Sequence, residues 1–183
     1  MTPTLILIIT VVIVALFVWS TYNSLVTGKV RIKESLSGID VQLKRRVDLV
    51  PNLIATVKGY AKHEKELLEN VTKARSSLMK ASTIHDKAVS DNMLSSALKS
   101  LIAISEAYPN LKASENFLEL QGELSDIEAK IAYARQFFNT NVSSYNTILV
   151  NFPGSIIGSM FKFKQEEFFA ATDAERKNVE VKF

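Results

Sequence analysis

His63 and His85 are the only histidines in the chain, and there is no cysteine. Any metal or nucleophile chemistry would have to grow from these two imidazoles or from Ser, Asp and Glu side chains. His63-Glu64 begins like a zincin helix, but Leu67 stands where the second zinc-binding His would follow. A zinc site built from one His and distant carboxylates would be unusual, so a solvated His63 is expected. A di-iron bundle needs a Glu three residues before each His, and Tyr60 and Ser82 occupy those places. There is no G-x-S-x-G elbow, no phosphate-binding loop and no G-x-G-x-x-G turn. The absence of cysteine excludes disulfides, thiolate metal sites, palmitoylation and a lipid-modified cysteine. The residues therefore point to a chain with no catalytic group, no metal and no cofactor. A metal-dependent or other hydrolase at the membrane, using His63, Glu64 and nearby carboxylates, is the alternative.

The densest charge is Lys44-Arg45-Arg46, followed by Asp48 and then by Pro51-Asn52. Two readings fit this cluster. Three cations in the last turn of a helix would favour the negative end of its dipole. Alternatively, Lys44, Arg45, Arg46, Asp48, Pro51 and Asn52 form a partner-docking site or a structural junction. If Arg46 is buried, its simplest partners are Asp48 or a carboxylate on a neighbouring helix such as Glu106. Glu106, Lys112 and Glu128 are further candidates for ion pairs. Asn70-Val71-Thr72 and Asn141-Val142-Ser143 match the glycosylation sequon but fall mid-helix, so both are read as chance matches.

The elements that must carry these residues are helical. With 6 Gly and 4 Pro in 183 residues, long uninterrupted elements are expected. Leu5 to Trp19 is apolar except for Thr10, and no charge precedes Lys29, so residues 4–22 suffice to cross a bilayer. Trp19 and Tyr22 fall where an interfacial aromatic belt would sit. An uncleaved anchor is expected rather than a signal peptide, which wants a basic start and a small-x-small cleavage site. Lys29, Arg31 and Lys33 follow the span, and the positive-inside rule puts the N-terminus outside and the soluble part in the cytoplasm.

Beyond the anchor, Ile32, Leu36, Ile39 and Leu43 step by helical intervals, and Asp48 to Pro51 is the first expected stop. A second helix is expected from Pro51 to Ala81, with Leu53, Val57, Tyr60, Glu64, Leu67, Val71, Ala74 and Leu78 on one stripe. Ser82 to His85 reads as a loop and Asp86 as an N-cap. A third helix carries Leu94, Ala97, Leu101, Ile104 and Tyr108 and ends at Pro109-Asn110. The fourth runs as a seam of Phe117, Leu120, Leu124, Ile127, Ile131, Ala134, Phe138, Asn141, Tyr145, Ile148 and Phe152, stopped by Pro153-Gly154. Short loops between long amphipathic helices predict an all-α, up-and-down four-helix bundle with antiparallel neighbours. The expected organisation is anchor 1–22, bundle 23–153, and a tail 154–183 packing on the bundle. The tail holds Phe161, Phe163, Phe168, Phe169 and Phe183. It is expected as an extended or partly strand-like cap, with a membrane- or partner-touching patch as the alternative. The net charge of +3, with both signs interleaved, argues against nucleic acid as a partner.

Tyr22 to Val26, Ile39 to Leu53 with its QLKRR-x-DL-x-PNL core, Val57 to Tyr60, His63-Glu64, and Glu106 to Ala113 together resemble the bacterial LemA family. So do the Ala134-Arg135, Phe138-Asn139, Tyr145-Asn146 and Phe152-Pro153 pairs. The resemblance covers nearly the whole chain. It implies one N-terminal anchor and a four-helix bundle, and it brings no enzymatic activity and no catalytic residues. Some members of the family look like lipoproteins, and the lack of cysteine sets this chain apart from them. The family's company implies envelope proteins as partners, such as a membrane metalloprotease or proteins with a TPM domain. The resulting expectation is a scaffold or adaptor in the inner or plasma membrane. It would be tethered to the bilayer, self-associating as a homo-oligomer and not catalytic, with membrane remodelling as a further alternative.

Overall fold

The computed structural model describes residues 3–170. Among the described residues the regular structure is entirely helical. The helices are α1 Pro3–Tyr60, α2 Lys65–Lys80, α3 Ile84–Ile104, α4 Pro109–Lys112, α5 Glu115–Val150 and α6 Gly154–Met160, with a short 3-10 turn at Ser105–Ala107. The all-α expectation holds. The chain divides into two compact units. The first joins the described residues up to Ser37 to Gln136–Phe168, and the second joins Gly38–Arg135 to Phe169 and Ala170. Residues 171–183, with Phe183, lie outside the described residues.

In the first unit, α1 begins with an apolar stretch whose side chains are exposed all round, and it is long and apolar enough to cross a membrane. Its polar residues do not interrupt it, because their hydroxyls bond back to the preceding turn. Thr21 Oγ1 donates to the Phe17 carbonyl at 3.0 Å and Ser24 Oγ to the Ser20 carbonyl at 3.0 Å. The core of this unit contains Leu25 and Ile32 from α1 and Phe138, Val142, Tyr145 and Leu149 from α5. Gly28 allows the close approach, since a Cβ there would lie 3.0 Å from Tyr145 Cδ2.

The tail departs from the strand-like expectation. It starts as helix α6, and Gly154 and Gly158 press against Ile148 and Leu149 so closely that any side chain would clash. Lys162 ends this helix with a φ of 59°, while Lys162 N donates to Ser159 O at 3.2 Å and Phe163 N to Gly158 O at 2.8 Å. This pair of bonds is the Schellman stop, here made with lysine where glycine is usual. The chain then runs extended beside α5. Tyr145 Oη donates to the Lys164 carbonyl at 3.0 Å. The Asn146 amide clasps the Glu166 backbone in both directions at 2.9 Å.

In the second unit, the expected stop at Asp48 to Pro51 does not occur. α1 continues through Pro51 to Tyr60, and α2 starts only at Lys65. Proline has no N–H to give the carbonyl four residues back, which is that of Val47. Arg75 on α2 supplies the missing donor, its Nε lying 2.9 Å from Val47 O. Val47, Leu49, Val50 and Leu53 are all buried around this point, so packing holds the helix together across the proline. The N-cap of α3 is Thr83 rather than Asp86, with Thr83 Oγ1 accepting from Asp86 N at 3.0 Å.

The seam residues are mostly placed as their spacing predicts. Ile39, Leu43, Leu53, Val57, Val71, Ala74, Leu78, Leu94, Leu101, Phe117, Leu124, Ile127 and Ile131 are buried. Toward the end of α5, in the first unit, the seam drifts. Ile148 and Phe152 are exposed and Leu149 is buried instead, as a straight helix of 3.6 residues per turn slips against a seven-residue repeat.

Candidate interaction site at the Arg46 junction

All six residues of the cluster lie on α1 within the second unit, and they part into a buried and an exposed set. Because α1 does not end here, the helix-terminus reading of Lys44-Arg45-Arg46 is overturned. Lys44 and Asp48 form an exposed i,i+4 pair at 3.1 Å. Arg45 is exposed and donates to Gln42 Oε1 at 3.4 Å. Pro51 and Asn52 are exposed.

Arg46 is fully buried. Its Nη2 pairs with the Asp91 carboxylate and reaches the Asp91 carbonyl at 3.3 Å. Its Nη1 donates to Glu128 Oε1 at 2.6 Å and to Ser95 Oγ at 2.8 Å. The partners are carboxylates on neighbouring helices, as expected, but they are neither Glu106, which pairs with Lys112 at 2.6 Å, nor the alternative Asp48, which is taken by Lys44. Glu128 and the Glu106–Lys112 pair meet the expectation of ion pairing. A second cation, Arg135, approaches Asp91 Oδ2 at 3.5 Å and donates to Asn92 Oδ1 at 3.3 Å. Its guanidinium also sits 5.2 Å from the centre of the Phe169 ring. Two cations and two carboxylates thus close a charge-balanced cluster linking α1, α3 and α5. Burial pushes the Arg46 guanidinium below its ordinary value, and the Glu128 carboxylate offsets part of that. Both carboxylates are occupied by guanidinium donors, so neither is placed as a general base.

Asp91, Ser95 and Arg75 were not singled out by the sequence. The signal for Asp91 is its position. It stands three residues after Ala88 and three before Leu94 on the buried face of α3, where a carboxylate requires a cation. Nothing in the local pattern marks Arg75, whose role depends on which helix packs beside Pro51.

Arg45, Asp48, Leu49 and Asn52 line an open groove of about 620 Å³ with Gly122, Glu123, Asp126 and Ile127 of α5. The groove offers both donors and acceptors at the surface. His63 and His85 are exposed. Glu64 accepts from Tyr108 Oη at 3.0 Å, and this bond, ahead of any burial, raises the tyrosine above its ordinary value. Among the described residues no group of three or more His, Cys, Asp or Glu could hold a metal ion.

Comparison with known proteins bears on identity. Protein LemA of Metamycoplasma hominis is 27% identical over 163 residues, covering 87% of this chain and 73% of that protein. Magnetosome protein MamQ of Magnetospirillum gryphiswaldense is 25% identical over 174 residues, covering 81% of this chain. Magnetosome protein MamQ 2 of Paramagnetospirillum magneticum is 24% identical over 174 residues. The chain spans 64% of the length of these magnetosome relatives. The family model matches residues 35–183, taking in the QLKRR-x-DL-x-PNL block and every residue of the buried cluster, and the chain belongs to the LemA family.

Proposed function

We propose that the protein is a membrane-tethered structural and interaction module, without catalysis, that holds envelope proteins or further copies of itself at the bilayer. The observation that carries this reading is α1 itself. One uninterrupted helix starts as an exposed apolar segment of spanning length and later supplies Leu43, Arg46, Val50 and Leu53 to the core of the second unit. Anchor and folded unit share one element, which suits a protein whose task is to be held at a membrane. The groove beside Arg45 and Asn52 is the proposed docking surface. Its mixed polarity fits a protein partner better than nucleic acid. Self-association is supported by large apolar side chains left exposed on the second unit, including Met79, Met93, Leu118 and Tyr133. The name of the magnetosome relatives refers to a cell structure rather than a reaction, which favours an assembly role. Lys29, Arg31 and Lys33 after the span support a cytoplasmic side for the soluble part by the positive-inside rule.

Photo-crosslinking in intact membranes tests the reading, with the crosslinker placed at Asn52 or Glu123 of the groove. Expected are discrete adducts to an envelope protein or to a second copy, lost in Arg45→Ala without change in thermal stability. A lack of adducts at both positions, or turnover by the purified protein that depends on Glu64, would overturn it. A reporter active only in the cytoplasm, fused after Phe183, should be active.

A further inference from the structure

The first unit has an apolar surface that the second unit's chemistry does not explain. Helix α6 buries Gly154, Ile157 and Gly158 on one side. On the other side Ile156 and Met160 are exposed to 57% and 66%; Phe152, in the turn before the helix, is exposed to 77%, and Phe161 follows the helix, also exposed. Such a stripe is expensive to leave in water.

Three observations bear on what this patch meets. The Phe161 ring centre lies 4.8 Å from that of Tyr22, and the Phe163 ring 5.8 Å from it. Tyr22 ends the part of α1 that is read as a bilayer span, at the level of the headgroups. The polar layer on each side of the hydrocarbon is roughly 5–7 Å deep, so a ring in contact with Tyr22 lies in or beside that layer. Second, both parts of this unit carry long charge-free stretches. There is no charged residue from Pro3 to Gly28, and none between Arg135 and Lys162. Third, charges return together and are mainly positive. Lys29, Arg31 and Lys33 stand on α1, and Lys162 and Lys164 follow α6, with Lys29 3.5 Å from Glu166. An apolar stripe bordered by lysines matches the acyl boundary beneath anionic headgroups.

We infer that Phe152–Phe161 is an interfacial foot that inserts Phe152, Ile156 and Met160 into the leaflet from which α1 emerges. This rests on the reading of α1 as a membrane span. The foot would hold the first unit at two points rather than one, and so fix how α1 meets the bilayer surface.

The cysteine-free chain allows a direct test in the full-length protein. Single variants Phe152→Cys, Ile156→Cys and Met160→Cys, all at exposed positions, are labelled with an environment-sensitive fluorophore. They are reconstituted into phosphatidylcholine–phosphatidylglycerol vesicles, with circular dichroism to verify folding. Ile9→Cys serves as the span control and Lys99→Cys as the aqueous one. Expected are a blue-shifted emission at the three foot positions and loss of intensity when nitroxide is carried by the lipid near the headgroup. Lys99→Cys should show neither, and Ile9→Cys should be quenched most by nitroxide deep in the acyl chain. Water-like emission at all three foot positions would overturn the inference. So would a blue shift that lipid nitroxide does not quench, which would mean that a second copy or another protein covers the patch. If Ile9→Cys is itself unquenched, the span reading fails and the foot falls with it. Quenching at Ile9→Cys but not at the foot removes this inference alone.

Discussion

Arg46 and Arg45 are neighbours in sequence with opposite fates. One side chain is enclosed by Asp91, Ser95 and Glu128, and the other is left on the surface with Gln42. Taking Arg46 and Asp91 out of water is costly, and a buried ion pair is weak grounds for high stability. Removing Arg46 is a different matter, because the buried Asp91 carboxylate is left with only the longer contact to Arg135 at 3.5 Å. Arg46→Ala should therefore cost about 3–5 kcal/mol, a large share of the roughly 5–15 kcal/mol that holds a domain. Arg46→Lys keeps the charge but loses the fork that reaches two carboxylates at once, so it should recover only part of the loss. Arg45→Ala should stay within about 0.5 kcal/mol of the wild type, as surface substitutions do. Denaturant unfolding of the detergent-solubilised chain, followed by circular dichroism, checks all three. Equal stability of Arg46→Ala and Arg45→Ala would contradict the buried cluster.

At the scale of elements, Pro51 and Arg75 solve one problem between them. The helix survives a proline because a side chain from α2 satisfies the orphaned Val47 carbonyl. Arg75→Ala should cost about 1–3 kcal/mol, the range for leaving a buried polar group without its partner. Pro51→Ala restores a backbone N–H to that carbonyl, so the same Arg75→Ala change should cost clearly less in the Pro51→Ala background. A double-mutant cycle reads this coupling directly, and additive effects would show that the two sites are independent. The tail of the first unit is tied to α5 by the Tyr145 hydroxyl. Burial, with the nearby Glu166 carboxylate, raises this phenol above its ordinary value. A phenol raised on folding contributes stability that is full below an ordinary value of about 10 and is lost as pH climbs through the folded-state value. Tyr145→Phe should cost about 0.5–1.5 kcal/mol at neutral pH. The wild type's advantage over it should shrink in alkali, as measured by unfolding both proteins across the alkaline range.

For the whole molecule, the α5 seam is the most exacting test of the fold. Leu124 and Ile131 are buried in the second unit with 6% and 2% of their surface exposed. Leu124→Asp or Ile131→Asp places a carboxylate there without a partner, at a cost of several kcal/mol, and should unfold that unit. An unchanged melting temperature would mean that another face of α5 is the buried one.

The sequence by itself determined the helical class, the anchor-like start, and most of the buried stripe. These follow from local composition and from periods of three and four, which each helix carries within itself. Leu124, Ile127 and Ile131 could be read as core from spacing alone. It also carried the family resemblance, through the block from Ile39 to Leu53. What only the tertiary structure decided are the points where one helix answers for another. Pro51 reads as a stop because nothing nearby in sequence can satisfy Val47, and Arg75 does so only once α2 folds back against α1. Arg46 reads as a terminal or surface cation because its carboxylates, Asp91 and Glu128, lie far along the chain. Lys162 gives no local sign of the left-handed turn it makes, a turn that glycine would ordinarily announce. In each case the deciding partner is distant in sequence, and a pattern read along one element carries no information about which element will stand beside it.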